Sequence, residues 1–565
     1  MKPIDLRVEG IRQGAIEVAR NRLIFVMALF SLGFFTLIVK LVSVGVFQAD
    51  GSAYYQTGNA NTSLLMARAD ILDRNGVILA TNLKTPSLAV VPAKLKTSPE
   101  ELAPRVAAIF PEMSEGKALK LLSTERSHTW IKRTLTPKQV FEIKKIGDPG
   151  LVTSDAEKRI YPQGRLLSHI LGSVDIDNKP SSGVEAYFND QLIDPSKSES
   201  PLVLSIDIRL QYILNQELAA YKEKFSAIGA AGLILDVTTG EVLALSSLPD
   251  FDPNDTSGPQ NVNEMNRVLQ GDYELGSGFK TFTLASALEN KVVTLADRYD
   301  ATKPVRIANF TIHDDHPKNR WLNVPEIFVY SSNIGTLKMA QDIGVERQIA
   351  FFDKLGLFTK ADIEVYEKST PLLPRQWGPT ELATTAYGHG IAVTPLHLAS
   401  GVAAMVNGGR LIPATLLRKN KNIAQSVSQD LGEQVISPAT SEIMRNLLHL
   451  VVEYGTGKNA KVDGYLVGGK TGTAIKAVNG GYNDKAVISS LVSVFPIDKP
   501  KYLVFAMLDE PKGIKETYNL ITAGMTVAPM VGNIIKRVGP LMGVMPRKED
   551  EIDFKDLMLV SGTDE

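Results

Sequence analysis

YELGSGFKTFTLASALE, residues 273–289, carries a serine between two glycines, Ser277, three positions ahead of Lys280 at the head of an apolar-periodic run. The spacing predicts a helix over 277–290. Residues at i and i+3 project from one face of a helix, which puts an amine within reach of the Ser277 hydroxyl proton. A serine needs such a base, because its free hydroxyl is a weak nucleophile at neutral pH. Working outward, GAAGLILDVTTGEVLALSSLP (229–249) predicts two apolar strands about a Thr239-Gly240 turn, and β-rich runs return at 464–473, 485–495 and 501–508. Helical patterns lie between, at 325–342, 345–355, 378–385, 395–407 and 438–453. Sheet at both ends with helices between is an α+β arrangement, not a repeating βαβ order.

The whole chain has 565 residues, 44% hydrophobic and 22% charged, with 61 Lys and Arg against 62 Asp and Glu and no cysteine. A net charge of −1 offers no chain-wide basic surface for nucleic acid. The absence of cysteine removes disulfides, thiolate nucleophiles, iron–sulfur clusters and Cys-ligated zinc. The run Leu23–Phe47, charged only at Lys40, is long enough as a helix to cross about 30 Å of hydrocarbon. Five basic residues precede it against three acidic ones, and 48–67 holds no Lys or Arg. A cytoplasmic N-terminus (1–22), an uncleaved transmembrane helix (23–47) and a body on the far side are expected. LLMARADILDRNGVILATN (64–82) then predicts strand, Asn75-Gly76 turn, strand. Residues 98–146 alternate helix-start signals with helical stretches, as in a small mixed α/β module.

Three further segments compete with plainer readings. FVYSSNIGT (328–336) sets Ser331 and Asn333 two apart, suited to relaying a proton and holding a carbonyl, or simply to capping a helix. GYLVGGKTGTA (464–474) fits the Walker A pattern through Lys470 and Thr471, yet no buried strand precedes it and no helix follows, so nucleotide binding is rejected. HDDH (313–316) offers metal-ligand types, but consecutive residues rarely converge on one ion, and a hydrogen-bonded loop is expected.

Order and spacing join these pieces. Ser-x-x-Lys, Ser-x-Asn about 50 residues on and Lys-Thr-Gly-Thr about 140 further resemble the three-part signature of penicillin-recognising serine enzymes. ARADILDRNGVILA (67–80, with Ala69 where glycine is usual), KRIYPQGRLLSHILG (158–172), SSGVEAYFNDQL (181–192), LVLSIDIRLQ (202–211), GEVLALSSLPDFDPN (240–254) and YGHGIAVTPLHLA (387–399) are similar to stretches of class B penicillin-binding proteins. Within that family the chain looks most like the division-specific peptidoglycan D,D-transpeptidase, with the elongation-specific branch as the nearest alternative and a catalytically silent scaffold as another.

The resemblance implies a pedestal (dimerisation-type) domain over 48–225, a transpeptidase domain over 226–546 and an acidic tail over 547–565. It implies a single-pass inner-membrane enzyme with its catalytic domain in the periplasm. Stem peptides would be the substrate, β-lactams the inhibitors, and a polytopic glycosyltransferase with other divisome membrane proteins the partners; no metal or cofactor is called for. It assigns Ser277 as nucleophile, Lys280 as its base, Ser331 as proton relay, Asn333 as holder of the substrate amide and Lys470 as a source of positive potential. Thr471 and Thr473 would contact the substrate carboxylate, Gly472 would let the ligand approach closely, and the N–H groups of Ser277 and Thr473 would form the oxyanion hole. Lys280 is expected to have a lowered pKa and Lys470 to work protonated.

Overall fold

The computed structural model describes residues 20–38, 68–196, 200–255, 265–308, 310–419, 432–478 and 481–546. The chain divides into two units, Met1–Leu64 and Leu65–Glu565. In the first, Arg20–Ile38 forms a helix of mean hydropathy 1.9 whose side chains are all exposed, long enough and apolar enough to cross a membrane. The remainder of the expected span, 39–47, lies outside the described residues, as does the tail 547–565.

The second unit begins with the expected hairpin. Ile71–Leu72 pairs antiparallel with Ile78–Val90, and Asp73 closes the turn by accepting from the N–H groups of Asn75 and Val77 at 2.7 and 2.8 Å. The strands Thr129–Lys132 and Leu151–Ile160 join Ile78–Val90 antiparallel, while Leu202–Val203 runs parallel to Ile71–Leu72. Helices Pro99–Ile109, Glu115–Leu122 and Pro137–Ile146 each start at a Ser or Thr that caps a free N–H, and all carry Pro or Glu in the first turn. Their apolar faces close a small core of Leu102, Val106, Phe110, Leu122 and Ile143 over Leu88 and Val90. Elsewhere in this module Glu185, fully buried, receives Arg68 Nε at 2.9 Å and Arg159 Nε at 2.7 Å.

The larger sheet orders its strands Gly468–Val478, Gly481–Phe495, Tyr502–Asp509, Gly229–Asp236, Val242–Leu248, all antiparallel. Alternate residues of Gly229–Asp236 serve two cores. Ala231, Leu233 and Leu235 face a layer that includes Phe279, Phe282, Val402 and Leu447, whereas Ala230 and Ile234 face Leu210 and Leu214 on one side helix and Val527 and Val531 on another. Burial on both faces explains why these strands read as continuous apolar runs. The helix Ile208–Lys224, inside the segment 48–225 read as pedestal, shares this second core and packs with the sheet.

One helical reading needs correcting. The pattern 325–342 is two helices, Val324–Val329 and Asn333–Ile343, because Ser331 takes φ +60° and Ser332 restarts the helix by capping the Gly335 N–H at 2.9 Å. An L-residue in the left-handed region cannot continue a right-handed helix, and it costs energy that the surroundings must offset.

Candidate active site

Ser277 sits in a single 3-10 turn, Gly276–Phe279, that runs straight into the helix Lys280–Glu289. Its hydroxyl caps neither element, so the plain capping reading of Ser277 does not hold. Gly276, at φ +54°, lies so close to the edge strand that a Cβ there would stand 2.9 Å from the Thr473 carbonyl oxygen. Gly472 is held in the same way: a Cβ would meet the Leu275 carbonyl oxygen at 2.3 Å. The close approach at Gly472 is therefore made by the chain's own backbone, which seats the Ser277 turn against the edge strand. Ligand access, the expected reason for glycine there, is not needed to explain it.

Helix and strand deliver two buried amines to one hydroxyl. Lys280, 1% exposed, donates from Nζ to the Ser331 carbonyl at 2.5 Å, to Asn333 Oδ1 at 2.6 Å and to Ser331 Oγ at 3.1 Å. Lys470, 0% exposed, reaches the same Ser331 Oγ at 2.9 Å and the Thr471 carbonyl at 3.3 Å, with its ammonium end 5.8 Å from the Phe328 ring centre. The φ of +60° at Ser331 is what turns its carbonyl and its hydroxyl toward Lys280 together.

Among the described residues, no carboxylate forms an ion pair with either lysine. Burial pushes Lys280 down to about 8, an effect partly opposed by the nearby charges of Asp315 and Asp314. Lys470 is lowered well below the usual lysine value, first by burial and then by Lys280. The lowered Lys280 agrees with the sequence reading. For Lys470 both effects work against the protonated form expected from the sequence. His389 is pushed down to about 4, by burial first and then by Lys280, and so adds no charge to the site near neutral pH.

The remaining sites lie on the edge strand. Thr471 shares its hydroxyl with Thr456 Oγ1 at 2.6 Å, and Thr473 Oγ1 accepts from the Ala523 N–H at 3.0 Å. Lys470 and Thr471 stand mid-strand, paired with Val492 and Leu491, which is incompatible with a phosphate-cradling loop. Asn333 spans two elements: its Oδ1 receives Lys280 and its Nδ2 donates to the His313 carbonyl at 2.9 Å. The HDDH segment is thus a hydrogen-bonded loop against the site. Asp314, Asp315, His389 and Thr456 were missed by reading the sequence; the HDDH and YGHG stretches were the signals present.

Comparison with known proteins agrees with this geometry. The penicillin binding protein transpeptidase domain matches residues 230–532 and the penicillin-binding protein dimerisation domain matches 64–193. A probable peptidoglycan D,D-transpeptidase FtsI of Caulobacter vibrioides is 35% identical over 92% of this chain and 89% of its own length. Stage V sporulation protein D of Bacillus subtilis is 32% identical over 94% of this chain and 87% of its own. In fold, the chain is similar to penicillin binding protein 3 of Mycobacterium tuberculosis, solved in complex with aztreonam, at TM-score 0.66 and 22% identity over 85% of this chain and 97% of that one. With one family domain covering more than half of its length and the second lying ahead of it, the chain belongs to the class B penicillin-binding proteins.

Proposed function

We propose that this chain is a peptidoglycan D,D-transpeptidase that cross-links stem peptides during septal wall synthesis through an acyl-enzyme on Ser277. The observation that carries the reading is the meeting of Lys280 and Lys470 on Ser331 Oγ, behind the turn that bears Ser277. In this mechanism Lys280, in its neutral form, takes the Ser277 proton as Oγ attacks the carbonyl of the penultimate D-Ala. The C–N bond to the terminal D-Ala breaks, and its nitrogen receives a proton passed through Ser331. An amine of a neighbouring stem then attacks the ester carbonyl, the bond from that carbon to Ser277 Oγ breaks, the amine's proton returns to Oγ through Lys280, and the new amide is the cross-link.

Lys470 shares a proton with this relay and holds Ser331 in place. Asn333 fixes Lys280 and retains one N–H for the substrate carbonyl. Gly468–Val478 is the edge of its sheet, where an extended stem can lie along the strand beside Thr471, Gly472 and Thr473. The backbone N–H groups of Ser277 and Thr473 would face the developing oxyanion. β-Lactams would be trapped on Ser277 in the same way.

The apolar helix Arg20–Ile38 supports a single-pass anchor, and the basic tail before it supports a cytoplasmic N-terminus with the catalytic domain in the periplasm. That placement suits a polytopic glycosyltransferase and other divisome membrane proteins as partners. The division of the body into pedestal and transpeptidase domains belongs to this proposal too, with the helix Ile208–Lys224, expected on the pedestal side of residue 225, packed into the transpeptidase core. The test is gel labelling of the full chain with a fluorescent penicillin: a band is expected that Ser277→Ala abolishes. A label surviving that change would overturn the assignment, and depletion that rounds cells instead of producing filaments would favour the elongation branch.

A further inference from the structure

The HDDH loop packs against the Ser331 turn, and its second residue grips that turn. Asp314 Oδ2 accepts from Ser332 Oγ at 2.8 Å, and Asp314 Oδ1 accepts from the Ile334 N–H at 2.9 Å. The preceding residue, His313, accepts Asn333 Nδ2 through its carbonyl. Three consecutive residues, Ser332, Asn333 and Ile334, are thereby tied to one loop.

The tie matters because the turn is strained. Ser331 has φ +60°, a conformation that a serine adopts only when its surroundings impose it. That conformation aims the Ser331 carbonyl and hydroxyl at Lys280, and Asn333 supplies the third acceptor. Among the described residues, every hydrogen bond Lys280 makes through its nitrogen therefore goes to a segment whose path Asp314 constrains. We propose that Asp314 is a positioning residue for acyl transfer, clamping the Ser331–Asn333 turn so that Lys280 holds its nitrogen where it can take the nucleophile's proton.

The proposal rests on the reading of Ser277 as nucleophile and Lys280 as base. The charged and titratable groups facing Lys280 are Lys470 on the edge strand, Asp314 and Asp315 in the loop, and His389 beyond the helix Pro379–Thr385. His313 and His316 flank the aspartates in sequence. Asp315 is exposed and, among the described residues, makes no hydrogen bond to the turn, so it shares Asp314's charge effect without its clamp.

The two effects separate experimentally. Removing a nearby negative charge disfavours the ammonium, so the amine gives up its proton at lower pH and the rise of acylation with pH moves in the acid direction. Removing the clamp lowers the plateau rate instead. The measurement is the first-order acylation rate of the full chain at saturating fluorescent penicillin across pH, with the half-saturating concentration and melting temperature of each variant.

Asp314→Ala and Ser332→Ala should each lose about tenfold or more at the plateau with half-saturation unchanged, and the double variant should lose little more than either alone. Asp314→Asn keeps an oxygen for the Ile334 N–H and can donate to Ser332 Oγ. It should keep the plateau within about threefold and shift the rise toward acid. Asp315→Asn should shift the rise alone. If Asp314→Ala fails to fold, Asp314→Asn and Ser332→Ala still decide. An unchanged plateau in Ser332→Ala, additive losses in the double variant, or a plateau about tenfold lower in Asp314→Asn would overturn the clamp. A parent that is not acylated would overturn the reading of Ser277 instead.

Discussion

Two places in this molecule bury a pair of basic side chains, and they treat the charge in opposite ways. In the pedestal, Arg68 and Arg159 converge on Glu185, each donating from Nε at under 3 Å, with Tyr161 Oη 3.4 Å from the same carboxylate. Arginine does not surrender its proton in proteins, so a carboxylate must come with it. The cluster is a structural joint between the strand Leu151–Ile160 and the helix Gly183–Tyr187. In the catalytic domain, Lys280 and Lys470 converge on a serine hydroxyl, two carbonyls and an amide oxygen, all neutral. Lysine can lose its proton, and without a carboxylate bonded to it burial makes that loss easier. Equal burial thus yields a fixed ion cluster where the partner is charged and a proton-exchanging one where the partners are polar but neutral.

Exchanging one property at a time should break the contrast. The largest effect is expected for Lys280→Arg, which keeps the charge but cannot act as a base. Its rate of acylation by a fluorescent penicillin should fall by about 10²–10⁴-fold without loss of folding, and parent-like acylation would contradict the assignment. Next, Glu185→Gln leaves two guanidiniums buried without their counter-charge and should cost about 3–5 kcal/mol in denaturant unfolding. A loss within experimental scatter would mean that the pedestal cluster is not held as an ion cluster. Smallest is Lys470→Arg, which places near Ser331 a cation of different shape whose charge is fixed. A fall of about tenfold in acylation is expected, and a variant deader than Lys280→Arg would reverse the roles given to the two lysines.

What the sequence made legible was local. The Asn75-Gly76 hairpin, the three pedestal helices and the i, i+3 placement of Ser277 and Lys280 each depend on residues a few positions apart. The edge strand was found with a shifted start, Gly468 instead of Gly464, because the Val462–Tyr465 bridge closes a turn ahead of it. The contacts that make the site were not legible from composition or periodicity. Lys470 meets Ser331 across 139 residues, Thr456 meets Thr471 from the end of a helix, and Asp314 reaches Ser332 from a loop that was expected to be hydrogen-bonded but whose partner the sequence did not name. The break at Ser331 was hidden because VPEIFVYSSNIGTLKMAQDI keeps an apolar rhythm through it. Only resemblance to a family joined Ser277, Ser331 and Lys470 in advance. The burial that lowers Lys470 was not legible either, because burial cannot be read from a Lys-Thr-Gly motif.

The central claim is that a buried, lowered lysine serves Ser277 as its base, and the pH dependence of acylation of the full chain tests it most directly. Lys280 must be neutral to accept the proton, so the rate should rise as pH passes its folded value, with half of the rise near pH 8. The sign is fixed: a base is recruited as it deprotonates, so the rate climbs toward alkaline pH. A half-rise near the ordinary lysine value of 10.5, or a rate flat from pH 6 to 10 in a chain still labelled at Ser277, would contradict the account.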